Sequence, residues 1–194
     1  MKMRNYKIIQ LPTSKKINDL TEKEAKEFND WFIKIIPKRI NILKNYVKED
    51  NKTIASKLDF SPESLVPLGE WFSTKVSTRK RTKEEIEQER LILYKFPDIE
   101  PEGWTYTEET FSLFFDMGMY LGSVFIKKYK SVKWFYVTKP RSYIDRNWPL
   151  LDGFKLEWNP IGAVMKFTAK LINKECDYTY LKYIYDYGEK RLKK

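Results

Sequence analysis

The run from Phe111 to Ile126 is the most apolar stretch of the chain, and Asp116, Gly118 and Gly122 interrupt it. A membrane span needs about 18 or more consecutive apolar residues, which this stretch does not supply. Its side chains must therefore be buried in the protein's own core. Thr105 and Thr107 precede it as caps, and the spacing predicts a helix over roughly residues 107–129 with a buried stripe of Phe111, Phe114, Gly118, Leu121, Gly122, Phe125 and Tyr129. Each glycine in a soluble helix costs about 1 kcal/mol relative to alanine, so Gly118 and Gly122, one turn apart on that stripe, imply close approach of a neighbouring element. Asp116 aligns with Ser112, Ser123 and Lys127 on the narrow side left for polar groups.

Signals for the neighbouring elements are local. Lys7 to Leu11 reads as a short strand. Thr21 and Glu24 form a capping box that opens a helix carrying Ala25, Phe28, Trp31, Phe32, Ile35 and Ile36, with a kink or break expected at Pro37 before Ile40, Leu43 and Val47. Ser61-Pro62 starts another helix with Leu65, Leu68, Phe72 and Val76 on one face. Gly69 to Lys75 echoes a phosphate-binding loop only faintly, because it lacks the second glycine and falls inside that helical stripe. Residues 77–97 read as a charged linker, or as a surface helix opened by the Thr82–Glu85 capping box and ending before Pro97.

After the apolar helix come β-branched and aromatic residues, Val132 to Thr138, which predict a strand with Val132, Trp134 and Tyr136 on one face. Ser142–Leu151 and Phe154–Trp158 are the further strand candidates, with Asp152-Gly153 as a two-residue turn. Asn159-Pro160 opens a helix bearing Ile161, Val164 and Leu171, and Asp177 caps a last helix over Tyr178–Leu192. Strands grouped together between helices predict an α+β fold: a small antiparallel sheet of about three strands over residues 132–158 packed between helices, beside an N-terminal helical part. The expected organisation is one domain over 1–194, with sub-parts 1–76, 77–97 and 98–194.

Charge supplies the main functional signal. The chain carries a net +10, and +6 of it falls between Asp116 and Asp145, where no acid occurs and Lys127, Lys128, Lys130, Lys133, Lys139 and Arg141 alternate with Tyr129, Trp134, Phe135, Tyr136 and Tyr143. Such a block attracts acidic proteins or nucleic-acid backbones. The segment 139–148 adds Arg146 and Trp148 to Tyr143 as a loop that can pair cations with stacking rings, weighed against a plain solvated lysine-rich surface. Tyr178, Tyr180, Tyr183, Tyr185 and Tyr187 surround the final helix, too many to be buried on one side, which makes Tyr180, Tyr183 and Tyr187 candidates for a docking face.

Catalytic patterns are scarce. Histidine is absent, so the usual general base and commonest metal ligand are missing, and Cys176 has no histidine to activate it. No pattern calls for a metal or cofactor. Asp116, Asp145, Asp152 and Asp177 remain as carboxylates, and structural roles outweigh catalysis for each, Asp145 alone lacking an evident one. A lone cysteine and an N-terminal region without a long apolar run predict a cytoplasmic protein.

The residues Asp116-Met-Gly-Met-Tyr-Leu-Gly122, Trp134, Pro149, Gly153-Phe154 and Asn159-Pro160 together resemble a pattern in small bacterial cytoplasmic domains of unknown function, across about residues 107–172. The resemblance implies a glycine-containing helix packed on a small antiparallel sheet followed by a second helix, and it brings no catalytic residues. Some domains of this build look like immunity or other partner-binding proteins. The resulting expectation is a non-enzymatic protein-binding domain, an immunity or defence-related inhibitor with an acidic protein partner. Nucleic-acid binding through residues 127–146 is the alternative.

Overall fold

The computed structural model describes residues 6–93 and 100–193. Its centre is the predicted apolar helix. Thr107 accepts a hydrogen bond from the Thr110 amide and starts this helix, Glu108–Lys128, which is buried almost without interruption from Thr110 to Phe125. Two long partners flank it. One is Glu22–Asp50, opened by the Thr21–Glu24 capping box as expected. The other is Pro160–Ile172, capped by Asn159, whose side chain accepts from the Gly162 amide.

In chain order the helices are α1 (Glu22–Asp50), α2 (Lys52–Ser56), α3 (Leu65–Ser73), α4 (Lys83–Ile92), α5 (Glu108–Lys128), α6 (Pro160–Ile172) and α7 (Tyr180–Glu189), with single 3-10 turns at Ile17–Asp19 and Pro62–Ser64. The strands are β1 (Thr78–Lys80), β2 (Trp104–Tyr106), β3 (Lys133–Phe135) and β4 (Leu150–Asp152). Helix α5 packs on α6 and α1, and α3 packs on α7. One hydrophobic cluster runs from Phe28 and Leu43 in α1 through Trp71 and Phe125 to Tyr185 in α7. The N-terminal helices therefore share their core with the C-terminal ones.

The fold is α+β with a small antiparallel sheet, but its strands are arranged differently from a three-strand meander. Strand β3 pairs antiparallel with β4, Trp134 opposite Leu151, and the third expected stretch contributes only a bridge between Leu151 and Trp158. Asp152-Gly153 closes no two-residue hairpin. Gly153 takes φ 99°, and the chain after it pairs Phe154 with Leu192 near the C-terminus. A second antiparallel pair, Thr78 opposite Tyr106 and Lys80 opposite Trp104, is built partly from the segment read as a linker. The Thr82–Glu85 capping box opens α4 as expected, while Pro97 lies outside the described residues.

Four local expectations are corrected. Helix α1 continues through Pro37, so the expected alternative of a break does not occur there. An interior proline costs about 3 kcal/mol, and burial of Phe28, Phe32 and Ile36 before it and Ile40, Leu43 and Val47 after it holds both halves on the same core. Lys7 to Leu11 forms no strand, and the Ile9 amide donates instead to Ser112 Oγ. Phe111 is exposed, whereas Ser112 and Asp116, placed on the polar side by sequence, are fully buried. The last helix is shorter than expected: Asp177 accepts from the Thr179 amide and hydroxyl, just before α7 starts at Tyr180.

Candidate functional site: the α6–α7 groove and the basic surface

Helix α7 sorts its tyrosines by period. Leu181, Ile184, Tyr185 and Gly188 recur at helical spacing and face the core, and Tyr185 stacks on Phe125 with ring centroids 4.3 Å apart. Tyr180, Tyr183 and Tyr187 fall on an adjacent face, Tyr180 still packed against the core. They form a stacked series, Tyr180 to Tyr183 at 5.1 Å and Tyr183 to Tyr187 at 6.4 Å, that begins on Phe167 of α6. Lys170 lies over the Tyr180 ring at 5.8 Å and Arg191 over the Tyr187 ring at 4.2 Å, so a cation terminates each end.

These three tyrosines line one wall of a groove of about 510 Å³ whose other side is formed by Ile144, Asp145, Glu157, Trp158 and the start of α6. The groove thus brings the expected docking helix together with part of the 139–148 loop. Asp145, unexplained by sequence, accepts from Asn159 Nδ2 at 2.8 Å while Asn159 Oδ1 caps the Gly162 amide at 2.8 Å. It is the outer member of the α6 cap. Burial, followed by the charges of Glu157 and Asp145, pushes the neighbouring Tyr143 phenol upward. The groove is aromatic, with two carboxylates on its wall and Lys166 at its edge.

The basic block does not form one surface. Lys127 donates to the Asp59 carbonyl oxygen at 2.7 Å, Lys128 pairs with Glu189 at 2.8 Å and Lys139 with Glu22 at 2.9 Å. Lys130, Lys133 and Arg141 are exposed and make no ion pair among the described residues. The block's rings are mostly turned inward: Trp134 packs on Gly122 and against Phe32, Tyr129 donates to Glu189, and Trp148 stacks on Phe115 while its indole N–H donates to Asn18 Oδ1 at 2.9 Å. Arg146 is half-buried and reaches the Leu20 carbonyl oxygen at 3.4 Å. The more exposed tyrosines, Tyr183 and Tyr187, thus lie on α7, apart from the 127–146 cations.

A second concavity, about 510 Å³, lies over α1 and α5 where Ile36, Pro37, Ile40 and Ile126 meet Phe60. Phe60 adopts φ 64°, a conformation that bulky residues avoid. Its amide is held by the Tyr120 hydroxyl at 3.0 Å, its ring stacks on Tyr120, and Lys44 and Lys127 both lie over it. Sequence gives no sign of this position, because the strain is set by the long-range contact to Tyr120.

No cluster of three or more metal-ligating side chains occurs among the described residues. Cys176 is free, and burial pushes its thiol pKa up, away from the thiolate that nucleophilic chemistry needs. Asp116 is engaged by Arg39 and Tyr6 in the core. No helix among the described residues is long and apolar enough to cross a membrane. Compared with known proteins, the chain matches no family, no curated protein and no solved structure.

Proposed function

We propose that this chain is a non-catalytic protein-binding domain that docks its partner in the groove between α6 and α7. One observation carries the reading. Among the described residues, three of the eight large apolar side chains left in solvent, Ile144 (83% exposed), Tyr183 (56%) and Tyr187 (44%), line this one groove. Clustered exposed apolar surface marks interaction sites, whereas scattered residues of this kind do not. Tyrosine suits an interface because it gives large contact area with few rotatable bonds.

Asp145 and Glu157 favour an uncharged or basic anchoring side chain within the groove itself. The net charge of +10 and the unpaired Lys130, Lys133 and Arg141 act at longer range, steering a partner whose overall surface is acidic. The test is parallel capture from the native host with the wild-type protein and an Ile144→Asp/Tyr183→Asp variant of matched circular dichroism and melting temperature. A protein retained by the first and lost from the second supports the reading. Retention by both, or by neither, overturns it.

A further inference from the structure

We propose that the concavity between α1 and α5 binds a small anionic amphiphile, a single anionic head on an unbranched aliphatic chain. Its volume of about 510 Å³ falls within the range of small-molecule sites. Its α1 wall runs from Ile36 to Lys44, a length of about 12 Å at the helical rise of about 1.5 Å per residue. That wall opens on aliphatic groups, Ile36, Pro37 and Ile40, joined by Ile126 of α5, and it ends on Lys44.

Charge sets the head group. The Lys44 and Lys127 ammoniums lie 5.1 Å and 5.8 Å from the centroid of one ring, that of Phe60. No carboxylate lines the concavity, and neither lysine makes an ion pair among the described residues. Asp59 offers Lys127 only its carbonyl oxygen, while its carboxylate accepts from the Ser61 amide at 2.8 Å. Both helical walls belong to runs without an acid, residues 31–48 and 117–144. An anion with an aliphatic chain gains both Coulomb attraction and apolar burial here, whereas a neutral chain gains only the second and a cationic one is repelled.

Two backbone irregularities from different segments meet at this one concavity. Pro37 is exposed in the middle of α1, and Phe60 holds φ 64°. Strained positions cluster where ligands are clamped. The Phe60 ring stacks on Tyr120 at 4.8 Å and its amide is held by the Tyr120 hydroxyl, so it is a fixed platform beside both ammoniums. Pro37 presents an apolar surface with no rotamer freedom to lose on binding. A docking helix would need an apolar stripe several turns long, and the exposed Lys34, Lys38 and Lys48 bound the aliphatic row on α1 too closely for that.

The shared chemistry has two sources, an aliphatic carboxylate and an alkyl phosphate. The test is titration calorimetry on the full chain at neutral pH with octanoate, octyl phosphate, octan-1-ol, octylammonium and acetate, each below its aggregation threshold. The variants are Lys44→Gln/Lys127→Gln and Lys44→Arg/Lys127→Arg. Lys44 is half-buried and Lys127 exposed, and circular dichroism and melting temperature check that folding is retained. Octanoate or octyl phosphate is expected to bind about tenfold or more tighter than octan-1-ol and octylammonium, with the preference lost in the glutamine variant and kept in the arginine variant. The tighter of the two anions assigns the head group. Octan-1-ol or acetate binding as tightly as octanoate and octyl phosphate, indifference to the glutamine variant, or no binding of either anion overturns the proposal. An acidic amphipathic peptide that binds through the same lysines when neither anion does overturns it in favour of protein docking. The site is separate from the α6–α7 groove, so Ile144→Asp/Tyr183→Asp should bind both anions as wild type does, and loss of binding there would place the ligand in that groove and overturn this assignment.

Discussion

Arg39 of α1 and Asp116 of α5 meet side-on in the core, with Arg39 Nε 2.8 Å from Asp116 Oδ1 and Nη2 2.6 Å from Oδ2, and the Tyr6 hydroxyl donates to the same carboxylate. Arg39 is 5% exposed and Asp116 fully buried. Burial pushes the Asp116 carboxyl upward against the pull of Arg39 and Tyr6. The fork geometry and the tyrosine bond offset a desolvation penalty that a single contact could not. The triad joins the N-terminal segment, α1 and α5.

Removing one member strands the other charge in the core. Asp116→Ala is expected to destabilise the fold by about 3–5 kcal/mol. The triple variant Tyr6→Phe/Arg39→Met/Asp116→Leu loses far less, because no charge or hydroxyl is then left unpaired. Urea denaturation with unchanged m-values checks both. A triple variant as unstable as Asp116→Ala would show that the triad contributes through geometry that apolar packing cannot replace.

Gly118 and Gly122 lie against two different neighbours. A Cβ on Gly118 would fall 2.9 Å from Ile161 Cα and 3.0 Å from its nitrogen, so the α5–α6 backbones are in contact there. A Cβ on Gly122 would fall 2.3 Å from Trp134 Cζ2. Alanine at either position is expected to destabilise by about 1–3 kcal/mol through overpacking, and leucine by more. The two are separated by a double-mutant cycle: Trp134→Leu partly relieves Gly122→Ala and leaves Gly118→Ala unrelieved. Chemical denaturation of the cycle decides, and equal coupling at both positions would refute this assignment of neighbours.

Glu189 at the end of α7 gathers three donors, Lys128 at 2.8 Å, Tyr129 at 2.5 Å and Tyr185 at 3.0 Å. The Lys128 ammonium, then the Tyr129 hydroxyl, bring its carboxyl from an ordinary 4.5 down to about 2. A depressed folded-state pKa stabilises the protein above the unfolded value and is lost as pH falls through the folded one. Glu189→Gln is therefore expected to flatten the decline in melting temperature between about pH 4.5 and pH 2, and the salt dependence at pH 7 should fall with it. An unchanged acid limb would mean that the three donors do not act on the folded carboxylate.

Local chemistry was legible in the sequence and long-range chemistry was not. The boxes at Thr21–Glu24 and Thr82–Glu85 and the Asn159-Pro160 start are complete within a few residues, so reading them needs no knowledge of the fold. The α7 tyrosines could be named as docking candidates because period alone separates Tyr183 and Tyr187 from the buried Tyr185. Asp116 reads as a structural carboxylate on the narrow polar side of its helix, but its full burial is not legible because its partner Arg39 lies 77 residues away. Pro37 carries a strong breaking signal, which tertiary burial on both sides overrides. The bonds from Asn147 Nδ2 to the carbonyl oxygens of Ile17 and Leu20 arise only when residues 138–147 fold over the start of α1.

The partition of the basic block predicts how the protein behaves toward nucleic acid. Affinity for a duplex falls with salt at a slope of about 0.9 per phosphate neutralised. Lys130, Lys133 and Arg141 are exposed and outside any ion pair among the described residues, whereas Lys127 and Lys128 are held by the Asp59 carbonyl and by Glu189. Binding to a generic duplex at low ionic strength should therefore be weak and insensitive to sequence, and replacing Lys130, Lys133 and Arg141 by glutamine should lower the slope by up to about 3, roughly one per contact. Lys127→Gln and Lys128→Gln should lower it less, because breaking their internal bonds opposes their use on phosphates. Trp148→Phe should leave the slope unchanged, since that ring is already stacked on Phe115. Fluorescence anisotropy across a salt series measures all of these. A marked sequence preference, or a loss of affinity on Trp148→Phe with the fold intact, would mean that the 139–148 loop opens to stack bases and would move nucleic-acid recognition ahead of protein docking.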